Sequence, residues 1–538
     1  MRFHTAGRAT LAALLLSLPA TCVLAADTHA DAPAAAPQHF MPQQQRSQGS
    51  VTVGGQRIDY EAVAGTLVVH AKGYDDVPQN APKDAAENPV PESSMFYVAY
   101  FRTPPAGKGP QAPRPITFFY NGGPGSPSVW LHMGSFGPKR IVTADDSHTP
   151  PAPYSVINND SSLLDATDLV FIDAPGTGFS RIAGKDAGKS FYGVDQDAHA
   201  FADFIEQFLS KYGRWNSPKF LFGESYGTTR SAALSNVLAA DYNIDLNGVI
   251  LLSQILMFDD SADEPQFNPG VDLPYALILP TYAATAWYHH KLPGTPPADL
   301  ASFLPEVERF ALGDYSQALL AGSTLPATQR QAIAEKLHQY TGLPVERILK
   351  GDLRINGGTF QQLLQADGDI ATGRLDARFS SATLDPLSKE VAYDPQSSAI
   401  SSAYYAAFND YVRKDLHWGE GQFFRSLDVE KEWNFLHEPP GASHPKAQAT
   451  NVLPDLAAAM KFNPHMQVLV HAGYYDMATP YFAAEYEMRH LPVGPELQKN
   501  IEFAFYPSGH MIYAHEPSLK DLHAKTVAFI NRAAGQAK

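Results

Sequence analysis

One cysteine, Cys22, occurs in the whole chain. That excludes an intrachain disulfide framework and a multi-cysteine metal site. Basic charge is also scarce: 40 Lys and Arg stand against 56 Asp and Glu, a formal net charge of −16. Such a chain offers no basic excess to neutralise phosphates, so nucleic acid is not an expected partner. An anionic membrane surface is disfavoured for the same reason. Long apolar runs are missing as well. Leu11 to Ala20 is too short to span a bilayer, and no other segment reaches spanning length. Charged residues make up 18% and apolar residues 44%, which excludes a disordered acidic tail. What remains is a globular chain of 538 residues. That length fits roughly three to four domains, or one large enzyme domain carrying insertions.

The first residues read as a targeting segment. Arg2 and Arg8 form a positive start, Leu11 to Ala20 an apolar stretch, and Val23-Leu24-Ala25 a small-residue cleavage signal. Cys22 raises a lipoprotein alternative, but Pro19-Ala20-Thr21 is a poor lipidation signal. Cleavage after Ala25 removes two arginines and the single thiol, taking the net charge from −16 to −18. The expected product is exported, periplasmic or secreted, without a membrane span. Residues 26–50, rich in Ala, Pro and Gln, read as a flexible leader.

From residue 51 the pattern is globular. Val51-Thr52-Val53, Leu67 to His70, Met95 to Phe101, Pro115 to Tyr120, Leu169 to Asp173, Phe220 to Phe222 and Gly248 to Leu252 predict strands. Phe201 to Tyr212 has helical spacing, with Phe201, Phe204, Ile205, Phe208 and Leu209 on one face. Residues 256–455 are richer in helices and in Pro and Gly, with the clearest helices at Pro326 to Tyr340 and Ala399 to Leu416. Strands return at Gln467 to His471 and Ile501 to Phe505, and Lys520 to Ala533 closes the chain as a helix. Alternating strands and helices, interrupted once, predict an α/β fold with a mainly parallel central sheet. The core would be 51–255 and 456–538, and 256–455 a mostly helical cap over the site.

The chemistry starts at Gly223-Glu224-Ser225-Tyr226-Gly227, a G-x-S-x-G run between a strand and a helix. Such a turn is tight, and its glycines let it hold a serine hydroxyl clear of the sheet as a nucleophile. A serine nucleophile needs a base and an oxyanion site. Asn121-Gly122-Gly123-Pro124-Gly125 follows an early strand, where glycines let backbone N–H groups approach a reacting carbonyl. His510 and Asp476 each follow a late strand. The order Ser225, Asp476, His510 is that of the α/β-hydrolases. Any one of these residues alone reads as structural; the three at strand ends, with the glycine loop, do not.

These blocks resemble the serine carboxypeptidases, the carboxypeptidase Y-like peptidases of family S10. The resemblance lies in Asn121 to Ser126, in Asp173 to Ser180 (Asp-Ala-Pro-Gly-Thr-Gly-Phe-Ser), in Gly223 to Gly227, in Gly473 to Pro480 and in Gly509-His510-Met511. Ala152-Pro153-Tyr154-Ser155 adds a weaker match. It implies an α/β-hydrolase fold and hydrolysis of the C-terminal peptide bond of peptides through an acyl-enzyme, with no cofactor and no metal. Ser225 would be the nucleophile, His510 the general base and then acid, and Asp476 the residue orienting the imidazole. The N–H groups of Gly123 and Tyr226 would form the oxyanion hole, and Asn121 and Glu224 would bind the substrate's terminal carboxylate. A glutamate can hydrogen-bond a carboxylate only when protonated, so Glu224 needs a raised pKa or acid conditions.

The chain departs from the family twice. The glutamate that usually shares a proton with the elbow glutamate falls at Ser135, and Ser126 stands at a family cysteine. Loss of the carboxylate partner weakens the case for a raised Glu224 pKa. The lack of disulfides suits a bacterial member. The competing readings are a prolyl aminopeptidase, an esterase, an acyltransferase, or a silent binding protein on the same scaffold. His289-His290 lacks partners at metal-ligand spacing. His132 reads as structural, although its closeness to the glycine loop allows it to line the cleft.

Overall fold

Among the described residues ten strands make one sheet: β1 (Gln44–Val53), β2 (Gln56–His70), β3 (Glu92–Arg102), β4 (Ile116–Tyr120), β5 (Asp168–Ile172), β6 (Arg181–Ala183), β7 (Lys219–Glu224), β8 (Gly248–Leu252), β9 (Gln467–Gly473) and β10 (Ile501–Tyr506). The structure is a computed structural model describing residues 39–77, 80, 88–104, 113–426, 429 and 432–535. The targeting segment 1–25 and leader residues 26–38 lie outside the described residues.

The spatial order is β1-β2-β3-β5-β4-β7-β8-β9-β10, with β6 beside one end of β3. From β5 to β10 every neighbouring pair is parallel; β1, β2, β3 and β6 add antiparallel pairing at one edge. The expected α/β-hydrolase architecture with a mainly parallel sheet is what the chain adopts. Its parallel strands are covered on both faces, so they read as continuous apolar runs. Phe118 packs on one face and Phe119 on the other, both fully buried. Each such phenylalanine contributes roughly 1.5–3 kcal/mol of burial. The first face is covered by α1 (Val194–Tyr212) and α2 (Tyr226–Ala240).

The leader is shorter than expected. Residues 44–50 are strand, paired in register with Gly49 opposite Tyr60 and Gln44 opposite Gly65. Their exposed polar side chains make them look like linker, but an edge strand is held by backbone bonds and needs no apolar face. Before it, the N–H groups of His39 and Phe40 donate to the buried Glu92 carboxylate.

The stretch 256–455, expected as one cap, divides in its packing. Helices α3 (Leu273–Tyr288) and α4 (Ala327–Thr341) and residues up to Leu364 share an apolar cluster with Tyr475, Met477 and Tyr481. By contrast, α5 (Pro395–Lys414) places Tyr404, Phe408 and Tyr411 in the cluster under the second face of the sheet. That face is completed by the last helix, α6 (Glu516–Ala533). No helix among the described residues is long and apolar enough to cross a membrane.

Candidate active site

In a parallel sheet, loops that follow successive strands converge at the strands' carboxyl ends. Here the loops after β4, β7, β9 and β10 line one cavity of about 400 Å³. β7 runs straight into Ser225, which caps α2 with φ 60° and ψ −131°. That left-handed backbone is costly for a residue with a side chain, and it is where nucleophile elbows store strain. The turn is held by Ser225 N–H donating to the Leu252 carbonyl at 3.0 Å and Thr228 N–H donating to the Ser225 carbonyl at 2.7 Å. Ser225 is partly exposed to the cavity.

Asp476 lies three residues beyond β9 and is fully buried. Its Oδ1 accepts the N–H groups of Ala478 at 2.9 Å and Thr479 at 3.0 Å. Its Oδ2 accepts the Thr479 hydroxyl at 2.7 Å and lies 2.7 Å from His510 Nδ1. A carboxylate in that place keeps the imidazole proton on Nδ1, so the neutral ring has Nε2 as its acceptor. Burial pushes the His510 pKa down, but the charge and hydrogen bond of Asp476, with Glu224 behind them, outweigh burial and raise it. The backbone of His510 is pinned on both sides, to the Leu375 carbonyl at 2.6 Å and by the Ser253 hydroxyl at 2.7 Å. His510 and Ser225 line the same cavity.

Glu224 is 3% exposed, and its Oε2 accepts both Asn121 Nδ2 at 2.9 Å and the Tyr513 hydroxyl at 2.8 Å. Burial raises its pKa to about 7, against the lowering effect of His510 and of those two donors. With both donors on Oε2, a proton on the carboxyl group belongs on Oε1. Ser135 does not take part: it is buried and donates to the Leu131 carbonyl within its own turn, at 2.6 Å. Burial replaces the missing carboxylate partner as the cause of the raised pKa.

The glycine loop lies directly on the elbow. A Cβ on Gly122 would come within 2.4 Å of Tyr226 N, so only glycine permits this approach. Gly123 has φ +104°. The Gly122 carbonyl accepts Ser126 N–H at 2.9 Å. A trans peptide points its N–H opposite to its carbonyl, so this bond also fixes the direction of Gly123 N–H. Asp173 braces the loop from the far side, accepting Ser128 N–H and hydroxyl at 2.8 Å each and Phe179 N–H at 3.2 Å.

Several site residues escaped the sequence reading. Tyr513 sits three residues after His510, a spacing that was available as a signal. Arg374 and Asp263 line the cavity as an ion pair, with Nε to Oδ1 at 2.9 Å. Trp433 donates to the Tyr226 hydroxyl at 3.1 Å. Arg230 and Asp197 form a buried pair behind the glycine loop, with Nε to Oδ2 at 2.6 Å. His132 does not line the cavity: it is buried, stacked on Phe171 and bonded to the Tyr100 hydroxyl at 2.6 Å. Among the described residues no group of His, Cys, Asp and Glu stands where it would hold a metal ion.

Residues 86–264, about a third of the chain, match the family model described as serine carboxypeptidase. The chain resembles the serine carboxypeptidases. A serine carboxypeptidase-like protein of Arabidopsis thaliana is 29% identical over 168 residues, 30% of this chain and 34% of that protein. A carboxypeptidase Y homolog of Arthroderma benhamiae is 30% identical over 152 residues, 28% of this chain and 27% of that protein. The chain thus spans about a third or less of the length of these curated relatives. A prohormone-processing carboxypeptidase from Saccharomyces cerevisiae has the same fold, with a TM-score of 0.53 at 14% identity. That likeness covers 89% of this chain and 92% of the solved one. The matched serine carboxypeptidase segment contains the glycine loop and the elbow; Asp476 and His510 lie beyond it.

Proposed function

We propose that this protein is an exported serine carboxypeptidase that hydrolyses the C-terminal peptide bond of peptide substrates. Ser225 Oγ attacks the scissile carbonyl while His510 Nε2 takes its proton. The new oxyanion accepts hydrogen bonds from Gly123 and Tyr226 N–H. His510 then protonates the leaving amine, and water reverses the sequence to release the acyl group. Asp476 holds the imidazole in orientation and stabilises its charged form. The departing residue's carboxylate is read by Asn121 Nδ2 and by the Oε1–H of Glu224.

One observation carries this reading over a general esterase: a buried carboxyl group, with its pKa raised to about 7, stands next to Ser225 in the same cavity. An esterase has no use for a protonated acid there, whereas a terminal carboxylate needs a neutral donor. Phe258, Phe435 and Arg374, all from 256–455, line the same cavity, which supports the cap reading for that stretch. Export rests on the leader pattern, and N-terminal sequencing of the mature protein from the cell envelope checks for Ala26 as its first residue.

The deciding experiment compares an N-blocked dipeptide with a free C-terminal carboxylate against its C-terminal amide, from about pH 4 to pH 8. The free acid should be preferred and Ser225→Ala should be inactive. Equal cleavage of the amide, or a requirement for a free N-terminus, moves the assignment to an esterase or an aminopeptidase.

A further inference from the structure

Helix α2 carries one charged side chain, Arg230, in a helix otherwise made of small, apolar and uncharged polar residues. It is fully buried, as is its partner Asp197 on α1. A buried ion pair is a poor stabiliser, because desolvation offsets most of the attraction. This one is worse than average, for Arg230 Nη2 and Asp197 Oδ1 find no hydrogen-bond partner among the described residues. Arg230 therefore calls for a role other than stability.

Its contacts supply one. Nη1 donates to the Asn121 carbonyl at 2.8 Å. That carbonyl opens the glycine loop, and its peptide unit leads directly to Gly122 and Gly123. The guanidinium also lies 5.5 Å from the ring centroid of Tyr226, 5.2 Å from that of Tyr120 and 4.4 Å from that of Phe201. One planar group thus touches the end of β4, the residue after the nucleophile and α1 together. The two N–H groups assigned to the oxyanion hole belong to Gly123 and Tyr226, on the two segments that Arg230 joins. An oxyanion hole works only if its donors are held in place before charge develops.

We propose that Arg230 is a positioning residue: it sets the distance between the glycine loop and the elbow, and so the alignment of the two oxyanion donors. The inference rests on the Ser225 reading above. Asp197 keeps the guanidinium oriented, and Arg230 itself touches no substrate.

The test uses the full chain and the double variant Asp197→Leu/Arg230→Met, which replaces the pair by apolar side chains and avoids stranding a buried charge. The single variant Arg230→Met is the comparison. Active sites are counted by fluorophosphonate labelling, and rates on the N-blocked dipeptide acid are expressed per labelled site. For the double variant, kcat per site should fall on the order of 100-fold. KM and inhibition by the free amino-acid product should stay within about threefold. Affinity for a peptide aldehyde, which forms a tetrahedral adduct with the serine, should fall with kcat. A double variant that melts near the parent temperature and keeps kcat per site within about threefold overturns the proposal. So does a loss in KM and product binding that matches the loss in kcat. If the parent is not labelled at all, the Ser225 reading fails and this inference falls with it, an outcome separate from the other two.

Discussion

Glu224 is where chemistry and environment meet most closely. Its pKa of about 7 is produced first by burial, and the donors Asn121 and Tyr513 only moderate it. The protonated form therefore predominates below about pH 7, and the ionised form above. In the proposed role, the first would attract a substrate carboxylate and the second repel it. KM for a free-acid substrate should rise about tenfold per pH unit above pH 7, while KM for the matching amide stays flat. Glu224→Gln replaces the titrating donor by a permanent one, so its KM for the free acid should not change from pH 6 to pH 8.5. Steady-state kinetics across that range check both; a flat KM in the parent sinks the carboxylate-reading role. In the proposed mechanism the acidic side is governed separately: His510 would have to be neutral to accept the serine proton, and kcat should fall as it protonates. Asp476→Asn should lower kcat on the order of 10⁴-fold with KM little changed, because the amide favours the wrong imidazole tautomer. Retention of more than a tenth of the parent kcat counts against the triad.

The strand-to-loop transitions are the elements that decide the site, and they are also what the sequence made legible. Ser225, Asp476 and His510 each follow a short apolar run closely, and a parallel sheet gathers such loops at one end. Glycines mark the same transitions for a steric reason. A Cβ on Gly223 would sit 2.1 Å from the Gly227 carbonyl oxygen and 2.5 Å from its carbon, both backbone atoms that cannot yield. Gly223→Ala should destabilise the fold by roughly 3 kcal/mol in denaturant unfolding and abolish activity. Gly54→Ala, in the open hairpin between β1 and β2 with φ +53° and no neighbour within 4 Å, should cost about 1 kcal/mol and leave kcat unchanged. Equal losses at the two positions exclude the steric account. What stayed hidden are contacts made from element interiors. Arg230 and Asp197 are thirty-three residues apart on different helices, and only tertiary packing pairs them. Residues 44–50 were hidden differently, since a polar edge strand carries no apolar alternation to read.

At the scale of the whole molecule, the buried titratable groups combine into a definite pH dependence of stability. Burial raises the carboxyl groups of Asp173 to about 6, Glu224 and Asp260 to about 7 and Glu487 to about 8. Each binds its proton more tightly folded than unfolded. Their contribution is complete below the unfolded carboxylate range and is lost as pH rises through the folded values. For His437, burial works downward, but the hydrogen bonds and charges of Asp195 and Asp455 raise it to about 9. A raised histidine also loses its contribution as pH climbs from about 6.5 through 9. The opposing groups are His132 and His471, which burial lowers to about 3. Unfolding frees them to protonate, so they cost stability as pH falls below about 6.5. Four raised carboxyl groups and one raised histidine outnumber the two lowered histidines until the unfolded carboxylates themselves take up protons. Calorimetry should therefore find the highest Tm at about pH 4, with a steady decline toward about pH 9. The decline above pH 6 should be smaller in Glu224→Gln, which has no proton to lose. A Tm that holds or rises between pH 6 and pH 8 means these carboxyl groups do not keep their protons in the folded chain. In that case the neutral donor required for reading a substrate carboxylate is missing too, which ties the stability curve to the KM profile.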